Sequence, residues 1–277
     1  MDLPRPLRLV APPSCASQVE YISYFSDALA VMQTEAALER TAYELCLDSA
    51  ADGVEYLEVR WAPRLHLVRG LSVGQVIEAV LRGLAAGPIR AVAIVCAMRT
   101  HSSEANLALA REAARFLGRG VVGFDLAGDE AGFPSVEPHR PAFELAGAAG
   151  LGLTCHAGEA GPAANVTEAL GLGVTRIGHG VIGAGEPALI ERVRSDGVVL
   201  DLCPTANWKC KAVDELAAHP LPRLVRAGVR CTVSTDSRTV AGTTLSREYE
   251  LCATVMGMTE DELRTCARNA HDARFDR

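Results

Sequence analysis

Short apolar runs alternate with helical patterns along most of this chain. The runs are Val54–Trp61, Ile89–Met98, Val121–Leu126, Leu153–His156, Thr175–His179, Val198–Cys203 and Val229–Thr235. They read as strands of a parallel sheet buried on both faces. Between them lie amphipathic stretches with start and stop signals. Thr34 opens a long helical pattern that ends at Gly53. Ser72-Val73-Gly74-Gln75 is a capping box, in which two side chains answer free N–H groups at a helix start. Ser103–Leu117 and Pro141–Ala149 predict two further helices, each stopped by a glycine. Glu186–Ser195, Leu221–Ala227, Ser246–Met256 and Thr259–Asn269 predict the rest, the last with a T-x-x-E box.

Strict alternation implies a parallel sheet with helices outside it. The units are short and evenly spaced, without linker, low-complexity tract or internal sequence repeat. That favours a single α/β domain over residues 1–277, a (β/α)8 TIM-type barrel rather than an open doubly wound sheet. No G-x-G-x-x-G follows a strand, so a dinucleotide fold has no support. Seven runs are present, however, where a closed barrel needs eight. A helix precedes the first run, so the barrel reads as N-terminally incomplete, without its first strand.

Composition narrows the function classes. With 277 residues, 49% hydrophobic and 22% charged, the chain can bury a sizeable core, which argues against disorder. No apolar run reaches the ~18–20 residues that span a bilayer. The start, Met1-Asp2-Leu3-Pro4-Arg5, is unlike a secretory signal. A net charge of −7 without a basic cluster argues against nucleic acid as the main partner. Nine cysteines without a C-x-x-C pair point to a reducing cytoplasm, not a disulfide scaffold.

In such barrels the chemistry gathers where strands end. Three runs end in His156-Ala157-Gly158-Glu159, Gly178-His179-Gly180 and Ser234-Thr235-Asp236-Ser237, and another continues into Asp125-Leu126-Ala127-Gly128-Asp129-Glu130. Each has an ordinary reading alone: a hydrogen-bonded structural histidine, an aspartate capping the next helix, a glycine easing a turn. Two histidines, a glutamate and an aspartate at three strand ends fit a different pattern. Imidazole and carboxylate suit a divalent ion such as zinc, and a carboxyl three residues past a ligand can move protons. The expectation is a metal-assisted hydrolase.

These words resemble the adenosine deaminase family of metal-dependent amidohydrolase barrels. Val59-Arg60-Trp61-Ala62-Pro63, Leu202-Cys203-Pro204-Thr205-Ala206-Asn207 and Thr243-Thr244-Leu245 with Glu248-Tyr249 add to the resemblance, which runs from about Leu7 to Phe275. It implies hydrolytic deamination of a purine nucleoside, adenosine or deoxyadenosine, by water activated on one Zn2+ ion. It further implies that His156 and Asp236 ligate the zinc and that Glu159 protonates the purine ring nitrogen. His179 would orient and deprotonate the metal-bound water, and Gly128 would approach the purine with its backbone.

Two departures stand out. The family's earliest motif is an H-x-H pair on the first strand, which supplies two zinc ligands. None of the seven histidines here forms such a pair, so two of the usual ligands are absent from this sequence. A longer reading frame, a divergent member without the usual metal centre, or a second chain completing the barrel would each explain the gap. The resemblance thus implies weak zinc binding and little turnover by the 277 residues alone. Where the family often carries a second acidic residue or Asn after the metal-binding Asp, this chain has Ser237. The rival readings are a silent barrel that binds a nucleoside-like ligand or a partner protein, and a deaminase for another purine-like substrate. Cys155 and Cys203 are expected in the core. His66, His101, Lys209 and Lys211 are expected in solvated positions. Arg60 is expected to pair with Glu58 or another carboxylate.

Overall fold

Seven parallel strands follow one another in strict chain order in the computed structural model, which describes residues 6–13 and 15–276. They are β1 (Tyr56–Trp61), β2 (Arg90–Met98), β3 (Val121–Ala127), β4 (Gly152–Ala157), β5 (Arg176–His179), β6 (Val199–Leu202) and β7 (Arg230–Val233). Each coincides with one of the seven apolar runs. The pairing runs from Tyr56 beside Arg90 in β1–β2 to Leu202 beside Val233 in β6–β7. The sheet curls strongly. Arg60 in β1 lies 3.6 Å from Asp201 in β6, and Arg176 in β5 lies 2.5 Å from Glu58 in β1. A flat sheet would hold β1 and β6 about 24 Å apart at the usual strand spacing. The architecture is therefore a TIM-type barrel lacking one strand. No eighth strand occurs among the described residues.

The helices form where local signals place them. Thr34 caps Glu35–Ala51 through the Ala37 N–H, and full capping boxes start Val73–Ala86 and Glu260–Asp272. The first two of these helices pack closely because Gly83 lacks a side chain; a Cβ there would lie 2.1 Å from the Glu39 carbonyl. Five short helices went unpredicted: Gln18–Ser23, Phe25–Val31, Ala163–Leu170, Pro204–Lys209 and Arg238–Ala241. At four to eight residues they are too short to display a readable period. All nine cysteines are free and buried, so Cys155 and Cys203 are core residues as expected. No helix among the described residues is long and apolar enough to cross a membrane.

Two chain segments close the ends of the barrel. At the mouth, where strands end, Ala11, Cys15 and Tyr21 pack on Cys203, Ala206, Cys210, Val240 and Ala241. The Ala11 N–H donates to the Val240 carbonyl at 2.9 Å. The Lys209 ammonium donates to the Ala11 carbonyl at 2.7 Å and is buried, which corrects its expected solvated position. At the floor, where strands begin, the Phe275 ring lies against Gly123 and Gly152, and the Arg176 guanidinium sits 3.8 Å from its centroid. His66 is also buried rather than solvated, with Nδ1 2.7 Å from the Met32 carbonyl.

Candidate active site

The turn after β4 carries Glu159, and a second carboxylate builds that turn. Glu130 accepts the backbone N–H groups of Gly158, Glu159, Ala160 and Gly161 at 2.7–3.0 Å, and the Asn165 amide at 3.0 Å. Burial alone would raise the Glu130 pKa, but these donors more than offset it and the pKa is lowered. Gly158 makes the turn possible: its φ is +70°, and a Cβ would meet Val166 at 2.7 Å. The Glu159 carboxyl that results is buried. It accepts from the Gln18 amide at 2.5 Å and from the Cys210 thiol at 3.3 Å. Burial raises its pKa, as suits a proton donor.

The histidines complete the cluster. The His156 and His179 ring centroids are 5.0 Å apart, and His179 Nε2 lies 3.7 Å from Glu159 Oε1. His156 Nδ1 is 2.9 Å from Asp125 Oδ2 but is not aligned as a hydrogen bond. Burial opposes charge on both members of that pair, yet their attraction outweighs it. The His156 pKa is raised, and that of Asp125 is lowered to about 2 with further help from Arg60. Arg60 pairs with Asp125 at 3.7 Å and Asp201 at 3.6 Å; Glu58 instead holds Arg176. The His179 pKa is depressed to about 4, first by burial and then by His156.

Asp236, after β7, accepts the Tyr21 hydroxyl at 3.4 Å. His179 and Asp236 have φ of 70° and 53°, and Lys211 is the remaining non-glycine residue with positive φ among those described. Such backbones cost of order 1–3 kcal/mol each, and strain of this kind collects at functional sites. Gly128, with φ +113°, directly follows β3, and a side chain there would meet Met98 at 3.1 Å. Ser237 caps the helix Arg238–Ala241 through the Val240 N–H at 3.3 Å.

The residues present do not fit a catalytic metal site. Among the described residues no group of three or more His, Cys, Asp or Glu side chains could hold an ion, and catalytic zinc usually has three protein ligands. His156 Nδ1 faces Asp125 and His179 Nδ1 faces the Asn207 amide, so only the Nε2 atom of each ring is left to ligate, and Asp236 takes the Tyr21 hydroxyl. A hollow of about 400 Å³ lined by Gly53, Glu55 and Arg90 lies at the opposite end of the barrel and includes none of these residues.

Several residues of the cluster, Asp125 and Cys210 among them, had no role assigned from sequence. Glu130 and Asn207 lie inside recognised words, so their positions were visible but their partners were not. Gln18 and Tyr21 carry no motif. They reach Glu159 and Asp236 across 141 and 215 residues of chain, and no local pattern encodes such contacts.

Residues 12–276 match the family model described as adenosine deaminase. An adenosine deaminase of Enterococcus faecalis is 37% identical over 266 residues, covering 95% of this chain and 79% of that protein. Among solved structures, adenine deaminase from Arthrobacter aurescens superposes with a TM-score of 0.89 at 25% identity, covering 100% of this chain and 86% of that one. The N6-methyl-AMP deaminase of Arabidopsis thaliana gives 0.86 at 26% identity, with 94% and 80% covered. A zinc-bound amidohydrolase from Burkhoderia ambifaria gives 0.85 at 25% identity, with 92% and 73% covered.

Proposed function

The chain belongs to the adenosine deaminase family, a family of hydrolases, and on that premise we propose that its substrate is a purine nucleoside, adenosine or deoxyadenosine. Water adds to the ring carbon that bears the amino group and gives up two protons in all: one restores the proton delivered to the adjacent ring nitrogen, the other goes to the amino group, and ammonia leaves. The product is inosine or deoxyinosine. Glu159 donates the ring proton. The observation that carries this reading is its buried carboxyl with a raised pKa, on a turn whose backbone Glu130 holds, 3.7 Å from His179. A carboxyl whose pKa burial raises holds its proton to higher pH than an ordinary glutamate, which suits it to donate. His179 faces the oxygen of the attacking water, and Gly128 leaves room for the purine beside β3.

The described donors do not by themselves form a metal ligand set. One consequence is quantitative. The 277-residue chain should not retain zinc through dialysis, whereas the same chain with an H-x-H strand fused ahead of it should retain one equivalent. Metal analysis of both proteins checks this.

The functional test follows adenosine absorbance for both proteins with added zinc, and then adenine and N6-methyl-AMP in its place. Adenosine turnover by the fused protein, lost in Glu159→Gln, supports the reading. Turnover of adenine or N6-methyl-AMP instead would move the substrate to a free base or a nucleotide. Folded proteins that deaminate none of the three would overturn it.

A further inference from the structure

Asn207 lies on the helix Pro204–Lys209 directly after β6 and is fully buried. Its side-chain oxygen faces two donors. The Cys203 backbone N–H approaches Oδ1 at 3.2 Å, and His219 Nε2 also lies at 3.2 Å. A backbone N–H can only donate, so the atom facing Cys203 is the oxygen. His219 agrees independently. Its Nδ1 accepts the Leu221 backbone N–H at 3.2 Å, which puts the proton of the neutral ring on Nε2, aimed at Asn207. Two backbone N–H groups from different segments thus orient the same amide the same way.

The consequence falls on His179. With its oxygen committed, Asn207 turns its NH2 toward His179 Nδ1 at 3.0 Å. An amide NH2 can only donate, so Nδ1 must hold a lone pair and the proton must sit on Nε2. The opposite tautomer would set two donors against each other inside a buried site, leaving both unsatisfied. His179 Nε2 has no hydrogen-bond partner, lies in a side chain that is 2% exposed, and points toward Glu159 across 3.7 Å. An unpartnered N–H is therefore held ready for a ligand oxygen.

We propose that Asn207, anchored by Cys203 and His219, is a positioning residue that fixes His179 in its Nε2–H tautomer. The resting imidazole then meets the oxygen of the attacking water as a hydrogen-bond donor, not as the base the family resemblance implies. This kinetic consequence rests on the deaminase reading; the tautomer itself does not. Fixing the tautomer of a histidine through a second residue is a general way of setting its chemistry.

Nitrogen-15 NMR of the histidine-labelled 277-residue protein tests it directly, with only seven imidazoles to resolve. His179→Gln identifies the resonance by its disappearance. We expect wild-type His179 to show a protonated Nε2 and an unprotonated Nδ1. Asn207→Asp keeps an acceptor for Cys203 and His219 but presents an oxygen to His179, so the proton should move to Nδ1. A wild-type spectrum with the proton on Nδ1, or a tautomer unchanged in a folded Asn207→Asp protein, overturns the assignment. The wild-type spectrum decides even where the variant fails to fold. In the fused protein that turns over adenosine, Asn207→Asp should lower kcat on the order of 10²-fold while KM moves little. An unchanged kcat beside a switched tautomer would overturn the donor role. Absence of turnover in the parent protein would count against the deaminase reading and leave the tautomer assignment standing on its spectrum.

Discussion

The floor and the mouth of this barrel treat buried charge differently. At the floor, Glu58 accepts the Arg176 guanidinium at 2.5 Å and the Phe275 N–H at 2.8 Å. Arg176 Nε lacks an aligned bond but still has Asp201 at 3.6 Å, and the guanidinium stacks on Phe275. Charge is matched there and the tail fills the space over Gly123 and Gly152. At the mouth, His156 Nδ1, His179 Nε2 and Arg60 Nη1 all lack aligned partners, and two site residues hold positive φ. Glu159 and His179 are held away from their ordinary protonation behaviour by burial. One end thus secures the fold, and the other keeps polar groups without aligned bonds: His156 and Arg60 beside Asp125, and His179 beside Glu159. Barrels generally divide stability and chemistry this way.

The comparison breaks most visibly at Glu159. In the fused protein, Glu159→Gln should lower deamination by about 10²–10⁴-fold. The melting temperature should hold or rise, because the variant no longer buries an ionisable carboxyl. A clear drop in melting temperature would mean that Glu159 serves the fold, as the floor residues do. Phe275→Ala is the converse. It should cost about 3 kcal/mol of unfolding free energy in a denaturant titration while His179 keeps its tautomer. A changed His179 spectrum would show that the two ends are coupled.

Glu130→Gln tests a residue that spans both descriptions. It lies at the mouth but is fully bonded, and replacing it removes a charged acceptor from four backbone N–H groups, at about 1–3 kcal/mol. Activity should fall with it, because the turn that aims Glu159 loosens; unchanged kcat would mean the turn holds without the charge.

The smallest effect is on pH dependence. His179 and His219 are depressed from 6.5 to about 4, chiefly by burial. The unfolded chain binds more protons in that interval, so their contribution is full above pH 6.5 and is lost as pH falls toward 4. Asp125, lowered from 3.8 to about 2, adds a further loss only below pH 3.8. Glu159 and His156, being raised, work in the opposite sense and regain part of the stability as pH falls. Unfolding free energy measured between pH 7 and 4 should therefore decline. His219→Gln, which keeps a donor for Asn207, should flatten that decline. A slope unaffected by the variant would remove His219 from this account.

The sequence by itself determined the order and extent of the seven strands, because each buried run is apolar over its own length. It also determined the longer helices, whose caps are local words such as Ser72 with Gln75 and Thr259 with Glu262. It placed His156, Glu159, His179 and Asp236 at strand ends, since a strand's end can be read from the run that precedes it. Tertiary structure decided how those groups are used. Whether Lys209 is solvated depends on the Ala11 carbonyl, 198 residues away, and whether Arg60 pairs with Glu58 or with Asp125 and Asp201 depends on the curl of the sheet. The tautomer of His179 depends on a backbone N–H at Cys203 and another at Leu221, relayed through two buried side chains. Hydrogen-bond direction inside a core is set by whichever donors and acceptors the fold brings within about 3 Å, and periodicity along the chain carries no record of that choice.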